Sequence, residues 1–400
     1  MKKYIALLLA LVMVFALAAC GSSDAGGDAA GEPEGGYKVA MITDYGDITD
    51  QSFNQTTYEA CKAFCEKNSI DFTYYKPAGD STADRVAMVE KAIDDGYNVI
   101  VMPGFAFAGT IVAVQDEYPD VKFIALDVSE YDITSAFYKT DDEGNVTEEL
   151  LDPDNEPHIA KNVYSAVYQE ELCGYMAGYA AVKLGYEKLG FLGGMAVPAV
   201  QRYGYGFVQG CDAAAAELEK TVTIKYAYGN QFYGDADITA AMDTWYADGT
   251  EVVFACGGGI FTSAVDAAKK VEGAKVIGVD VDQAGVIAAY GEVEGLTVTS
   301  AMKGLAATVD TMLTETVLNG NWEKYGGKVE TLGLVSGDDP SLNYVGIPMG
   351  DGTQWSDSFT LEDYNALVKD MFDGKIKVSA SIDEMPATTA AEVQDLGNIK

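Results

Sequence analysis

From Tyr37 onward, short apolar runs stop at Gly, Pro or Asp, and longer stretches of helical period separate them. The runs are Lys38–Thr43, Asp71–Tyr75, Asn98–Met102, Val121–Leu126, Asn162–Val167, Lys188–Leu192, Val222–Tyr226, Glu251–Ala255, Lys275–Val279 and Leu296–Ser300. Most are rich in Val and Ile and continuous, as strands covered on both faces of a parallel sheet must be. The intervening period predicts helices that include Asn54–Asn68, Ser81–Asp95, Glu170–Leu184, Gln201–Glu219, Asp237–Asp248, Thr262–Val271 and Met302–Leu318. So many strands exceed what one open sheet commonly holds, so the rhythm predicts two doubly wound α/β lobes. The polar stretch from Val128 through Glu156 is expected to insert at the surface. After Leu342 the pattern weakens to a last helix near Leu361–Phe372, and residues 380–400 read as a loosely ordered tail.

The chain opens with Lys2 and Lys3, runs apolar from Ile5 to Ala19 and then reads Leu17-Ala18-Ala19-Cys20-Gly21. Positive charge, a short apolar stretch and small residues ahead of a cysteine are the marks of a signal peptide with a lipoprotein cleavage box. Residues 1–19 are therefore expected to be removed, leaving Cys20 as lipid acceptor and the mature protein outside the cytoplasmic membrane. Residues 20–36 are mostly Gly, Ser, Ala, Asp and Glu, a composition that cannot bury a core and predicts a flexible tether.

Charge narrows the classes further. Against 26 Lys and Arg stand 62 Asp and Glu, and removing Lys2 and Lys3 leaves 24 against 62, a net of −38. With no cluster of basic residues, nucleic acid is not an expected partner. Beyond Cys20 the cysteines are Cys61, Cys65, Cys173, Cys211 and Cys256, an odd number, so no fully paired framework is possible. Cys61 and Cys65 share a helix face, but His158 is the only histidine. Buried small residues are the expectation there, and no metal site or cofactor is expected. The lone histidine also removes most Ser-His-Asp and Cys-His schemes; no Gly-x-Ser-x-Gly elbow, Walker loop or dinucleotide fingerprint occurs.

In open parallel sheets ligands bind beyond the carboxyl ends of the strands. The residues there are Asp44, Pro103-Gly104-Phe105, Asp127, Gly193-Gly194, Gly257-Gly258-Gly259 and Asp280. Three strand-end carboxylates among glycines suit a polyhydroxylated ligand gripped by acceptors, although a strand-end Asp also serves commonly as a helix N-cap.

The residues also carry a family likeness. Met41-Ile42-Thr43-Asp44-Tyr45-Gly46-Asp47-Ile48-Thr49-Asp50-Gln51-Ser52-Phe53-Asn54-Gln55 resembles the opening of the basic membrane protein family of ABC-transporter substrate-binding lipoproteins. Tyr168-Gln169-Glu170-Glu171 running into Gly174–Gly178, Gly190–Gly194 with Pro198, Val276–Gln283, Thr299–Lys303 and Gly374–Val378 continue the likeness in order. The resemblance implies a type I periplasmic-binding-protein fold: two Rossmann-like lobes, a hinge crossed about three times, and a purine nucleoside between aromatic rings. It places one lobe at residues 37–168 plus 281–319 and the other at residues 169–280 plus 320–379.

On the same resemblance, Phe53 is one stacking ring. The segment Gly229–Asp235 matches the family's turn imperfectly, so Phe232 is the second candidate and Tyr233 the alternative. Asp280 is expected at the ribose, and Lys303 donates to ribose oxygens and balances Asp280. Asp44, Asn54 and Asp127 meet base or sugar edges, while Gly257 and Gly258 admit close backbone approach. Such residue types suit a nucleoside, whose base stacks at roughly 1–3 kcal/mol per ring and whose diol takes charge-assisted hydrogen bonds. The plain structural alternatives are core packing for Phe53 and a solvated lysine for Lys303. The implied partners are a nucleoside, an ABC permease with its ATPase, and the membrane through lipid on Cys20; the protein is expected to be a monomer and not an enzyme. Other readings are a sugar or signalling-ligand binder on the same fold, a surface nucleoside or glycoside hydrolase, and an adhesive lipoprotein.

Overall fold

The structure, a computed structural model, describes residues 36–44, 46–141 and 145–399. The segments expected to be signal sequence and tether, with Cys20, fall in residues 1–35, and these and Tyr45 lie outside the described residues. Where the sequence is most apolar it forms the centres of two sheets. In the first, β1 (Val39–Ile42) and β3 (Val99–Pro103) are buried along their whole length and pair in parallel, Val39 opposite Val99. β2 (Phe72–Tyr75), β4 (Lys122–Leu126), β7 (Val163–Tyr168) and β13 (Lys328–Leu332) extend it in the order β13-β7-β4-β3-β1-β2. The second sheet is β14-β12-β11-β10-β8-β9-β15. Its members are β8 (Lys188–Gly193), β9 (Val222–Tyr228), β10 (Val252–Cys256), β11 (Lys275–Asp280), β12 (Thr297–Lys303), β14 (Val345–Gly346) and β15 (Ala391–Asn398). All its pairs are parallel except β12 with β14. The protein is thus built of two Rossmann-like α/β lobes.

The chain changes lobe after Tyr168, after Lys303 and after Leu332, which corrects the expected division. The resemblance places residues 281–319 in the first lobe, yet β12 is hydrogen-bonded between β11 and β14 in the second. The crossing comes only after Lys303, where α10 (Leu305–Leu313) packs on α1 (Phe53–Asn68) of the first lobe. Residues 320–379 were assigned wholly to the second lobe, yet β13 pairs with β7. A continuous apolar strand suits either sheet, and β13 is a half-exposed edge strand whose polar sequence hid it.

The tail is corrected too. β15 lies parallel to β9 and closes the sheet edge, and Asp212 fastens its entry by accepting N–H bonds from Thr389, Ala390 and Ala391 at 2.7, 2.6 and 2.9 Å. Only Ala391 of this strand is buried, so no apolar pattern announced it. The polar stretch from Val128 contains α4 (Glu130–Ser135) and a hairpin of β5 (Tyr138–Thr140) with β6 (Val146–Leu150). Cys61, Cys65, Cys173, Cys211 and Cys256 are buried free thiols. Among the described residues no helix is long and apolar enough to cross a membrane.

The second lobe begins with two helices in close contact, α5 (Glu170–Lys183) and α6 (Pro198–Glu217). Gly174 and Gly178 face α6, Gly206 and Gly210 face α5, and a methyl group on any of them would run into backbone of the other helix. At Gly210 the obstacle is the Tyr175 carbonyl. Gly210→Ala is therefore expected to lower the unfolding free energy by about 1–3 kcal/mol, as overpacked cores do, despite alanine's better helix propensity. Urea unfolding followed by circular dichroism measures this, and a variant as stable as its parent would refute the close-packing account.

Candidate ligand-binding site

The carboxyl ends of the strands of both sheets line one cavity. Asp44 follows β1, Gly104 follows β3 and Asp127 follows β4; facing them are Gly257 and Gly258 after β10, Asp280 at the end of β11 and Lys303 at the end of β12. Phe53 and Asn54 open α1, and Phe232 lies in the loop after β9. All nine candidate residues, Asp44, Phe53, Asn54, Asp127, Phe232, Gly257, Gly258, Asp280 and Lys303, line this cavity. Tyr233 does not; it is 63% exposed and borders a separate recess that shares Phe232.

Lys303 organises the floor. Its side chain is 3% exposed, and its ammonium pairs with Asp127, with Glu170 at 3.4 Å and with Asp280 at 3.7 Å. Burial alone would depress its pKa, but the carboxylates, Asp127 foremost, more than offset this and hold it above the ordinary lysine range. The same ammonium lies 4.8 Å from the centroid of the Phe53 ring and 5.5 Å from those of Tyr168 and Tyr203. Glu170, fully buried, takes its second partner from Arg202 Nε at 2.7 Å. Burial raises the Glu170 carboxyl, and Arg202 and then Lys303 oppose that rise.

The two strand-end aspartates on the floor are not equivalent. Asp280 accepts from Ser52 Oγ at 2.6 Å through Oδ2 and from Tyr203 OH at 3.3 Å through Oδ1, so protein donors already hold both oxygens. Asp127 pairs with Lys303 through Oδ2, and its buried Oδ1 has no partner among the described residues. The open acceptor of the pair belongs to Asp127. Both residues adopt the left-handed backbone, with φ of 60° and 64°, which turns the chain sharply at the strand ends.

At the other side, Asn54 Nδ2 donates to Asp44 Oδ1 at 2.9 Å and to Asp50 Oδ2 at 3.1 Å, and Gly46 N–H donates to Asp44 Oδ1 at 3.0 Å. Asp50 also accepts the N–H groups of Ser52, Asn54 and Gln55, so it caps α1. Asn54 thus orders two carboxylates. Burial is the main reason that the Asp44 carboxyl is pushed up to about 6, against the bonds from Gly46 and Asn54. Gly194 and Gly257 provide the space in which the Phe232 ring lies, since a side chain on either would meet it.

Several lining residues were not singled out from the sequence. Asp50 and Pro198 belong to segments already quoted for their likeness, while Arg202 and Tyr203 come from the first turns of α6. Arg202 had a legible signal, as the one charged residue between Lys188 and Asp212. Five carboxylates (Asp44, Asp50, Asp127, Asp132, Asp280) line the cavity against Lys303 and Arg202, each already paired with Glu170. Such a wall accepts hydrogen bonds from hydroxyl and N–H groups and offers no unpaired cation to a phosphate. Among the described residues no group of three or more His, Cys, Asp or Glu is placed to hold a metal ion.

The model of a family described as ABC transporter substrate-binding protein PnrA-like matches residues 37–370. The chain is 27% identical to the ABC transporter nucleoside-binding protein BmpA of Lactococcus lactis subsp. cremoris, covering 92% of this chain and 96% of that protein. It is likewise 27% identical to basic membrane protein B of Borreliella afzelii, over 75% of this chain and 79% of the other. A solute-binding protein of an ABC transporter system from Aeropyrum pernix superposes with a TM-score of 0.61 at 19% identity, covering 85% of this chain and 87% of its own, a likeness of fold.

Asp44 makes stability depend on pH with a defined sign. Its folded pKa of about 6 lies above the ordinary aspartate value of 3.8, so the stabilisation from holding its proton is complete below about pH 4 and lost as pH rises through about 6. Relative to Asp44→Asn, the parent should lose about 3 kcal/mol between pH 4 and pH 7 and nothing more above that. Chemical denaturation of both proteins across this range reads the difference, and a difference independent of pH would contradict the assignment.

Proposed function

The chain belongs to the PnrA-like family of ABC transporter substrate-binding proteins, and from that premise we propose that it captures a purine nucleoside between its two lobes and delivers it to a membrane permease. In this reading the protein works outside the cytoplasmic membrane, a monomer tethered through lipid on Cys20, and returns its ligand chemically unchanged. The observation that carries the proposal is the composition of the cavity: two aromatic rings, Phe53 and Phe232, together with strand-end carboxylates, one with an open buried acceptor. The rings suit the two faces of a base; Asp127 Oδ1 suits a ribose hydroxyl, and Asp280 completes the acceptor pair. Asp44, ordered by Asn54, faces the edge of base or sugar, and Lys303 keeps the floor charged and rigid. The name of the Lactococcus relative agrees with this ligand class.

A ligand gripped from both lobes favours the closed arrangement, because only a difference in affinity between states shifts their populations. The roles separate in calorimetric titrations with inosine, hypoxanthine and ribose. Asp127→Asn removes a charged acceptor from the ribose, so it should weaken inosine binding by roughly tenfold to a hundredfold and leave hypoxanthine little changed. Phe53→Ala should weaken inosine and hypoxanthine alike. If a folded Asp127→Asn bound inosine as tightly as the parent, the ribose assignment would be wrong; if no nucleoside bound the parent, the ligand class would be.

A further inference from the structure

The lobes are also joined at a place that lies outside the cavity. Gln283, between β11 and α9 (Ala284–Gly291), is fully buried, and all its hydrogen-bonding arms are committed. Its Oε1 accepts from Val279 N–H at 2.9 Å, its backbone N–H donates to Ser300 Oγ at 3.1 Å, and its Nε2 donates to the Gln51 carbonyl at 3.0 Å. The first two bonds stay inside the second lobe. The third crosses to the first, because Gln51 belongs to the loop between β1 and α1. Its neighbour Ser52, fully buried as well, makes the bond to Asp280 that crosses between the same two segments. Neither Gln51, Ser52 nor Gln283 lines the cavity.

Gln51 has a φ of 57°, the left-handed conformation that a residue with a side chain holds only where its surroundings impose it. The carbonyl that accepts the crossing bond therefore sits on a strained residue. The loop that carries it continues directly into Phe53 and Asn54, so the tie and these cavity-lining groups share one short segment.

We propose that Gln283 and the Gln51–Ser52 segment form an interlobe latch, a polar tie outside the cavity that favours the closed arrangement and sets how slowly a bound ligand leaves. These buried bonds exist only when the lobes meet, so they add to closure whatever the ligand contributes. The strained acceptor works against them and keeps closure reversible. A glycine at position 51 would keep the carbonyl and remove the cost of the left-handed backbone.

The test uses the mature protein as parent, Gln283→Ala and Gln51→Gly, with two readouts. Release of inosine, followed by stopped-flow displacement, should be about tenfold faster in Gln283→Ala, as for a lost buried hydrogen bond, and slower than the parent in Gln51→Gly. Small-angle scattering of the ligand-free proteins should give a larger radius of gyration for Gln283→Ala than for Gln51→Gly. The release measurement rests on the nucleoside proposal, whereas the scattering comparison does not. Failure of inosine to bind the parent would count against the ligand class, and scattering alone would then decide on the latch. Should Gln283→Ala not fold, Gln51→Gly against the parent decides. Equal radii, with release equal wherever inosine binds, would overturn the latch.

Discussion

An ammonium group removed from water has to be surrounded by acceptors, and the burial of Lys303 dictates much of what lies around it. Three carboxylates converge on that one charge: Asp127 from the end of a first-lobe strand, Asp280 from the end of a second-lobe strand, and Glu170 from the helix that follows the first crossing. Each is costly to bury alone. Arg202 supplies a second positive charge to Glu170, yet three carboxylates against two cations leave the junction acidic. The surplus acceptor capacity is visible in Asp127, a cavity-lining residue whose buried Oδ1 has no partner among the described residues. That surplus suits the hydrogen-bond donors of the neutral ligand proposed above.

The junction also couples chemistry to architecture. Lys303 ends the strand after which the chain crosses back to the first lobe, and its charge lies beside the Phe53 ring of that lobe. Asp280, held by Lys303, is held as well by Ser52 across the cleft. One charge therefore constrains the strand at a lobe crossing, a cavity-lining ring and an interlobe hydrogen bond. Separating the lobes would disturb all three together.

Much of this was legible in the sequence because buried parallel strands announce themselves: Asn98–Met102 and Lys275–Val279 are continuous apolar runs, and the residues just beyond them face the cleft. Asp44, Asp127 and Asp280 followed from that rule, whereas Phe53, Phe232 and Lys303 followed from family likeness. Features that depend on pairing were not legible. Nothing in Leu296–Ser300 says which sheet it joins, the polar β13 and β15 lack an apolar stripe, and the bond between Gln51 and Gln283 joins residues 232 positions apart. That Asp280 is already engaged while Asp127 is open is likewise a fact of three-dimensional arrangement, invisible in a list of strand ends.

The buried Lys303 charge holds this junction together, and Lys303→Met tests that directly because methionine fills similar space without the ammonium. Burial already raises the carboxyls of Glu170 and Asp280 and Lys303 opposes that rise, so with its charge gone both move further above their unfolded values. Groups shifted in that direction stabilise the fold at low pH and cease to do so as pH rises through their folded values. Denaturant unfolding at a series of pH values should therefore find the variant about 3–5 kcal/mol less stable than the parent at pH 8, with the gap narrowing toward pH 5. A variant as stable as its parent at pH 8, with a difference flat in pH, would contradict the claim that this buried lysine holds the junction together.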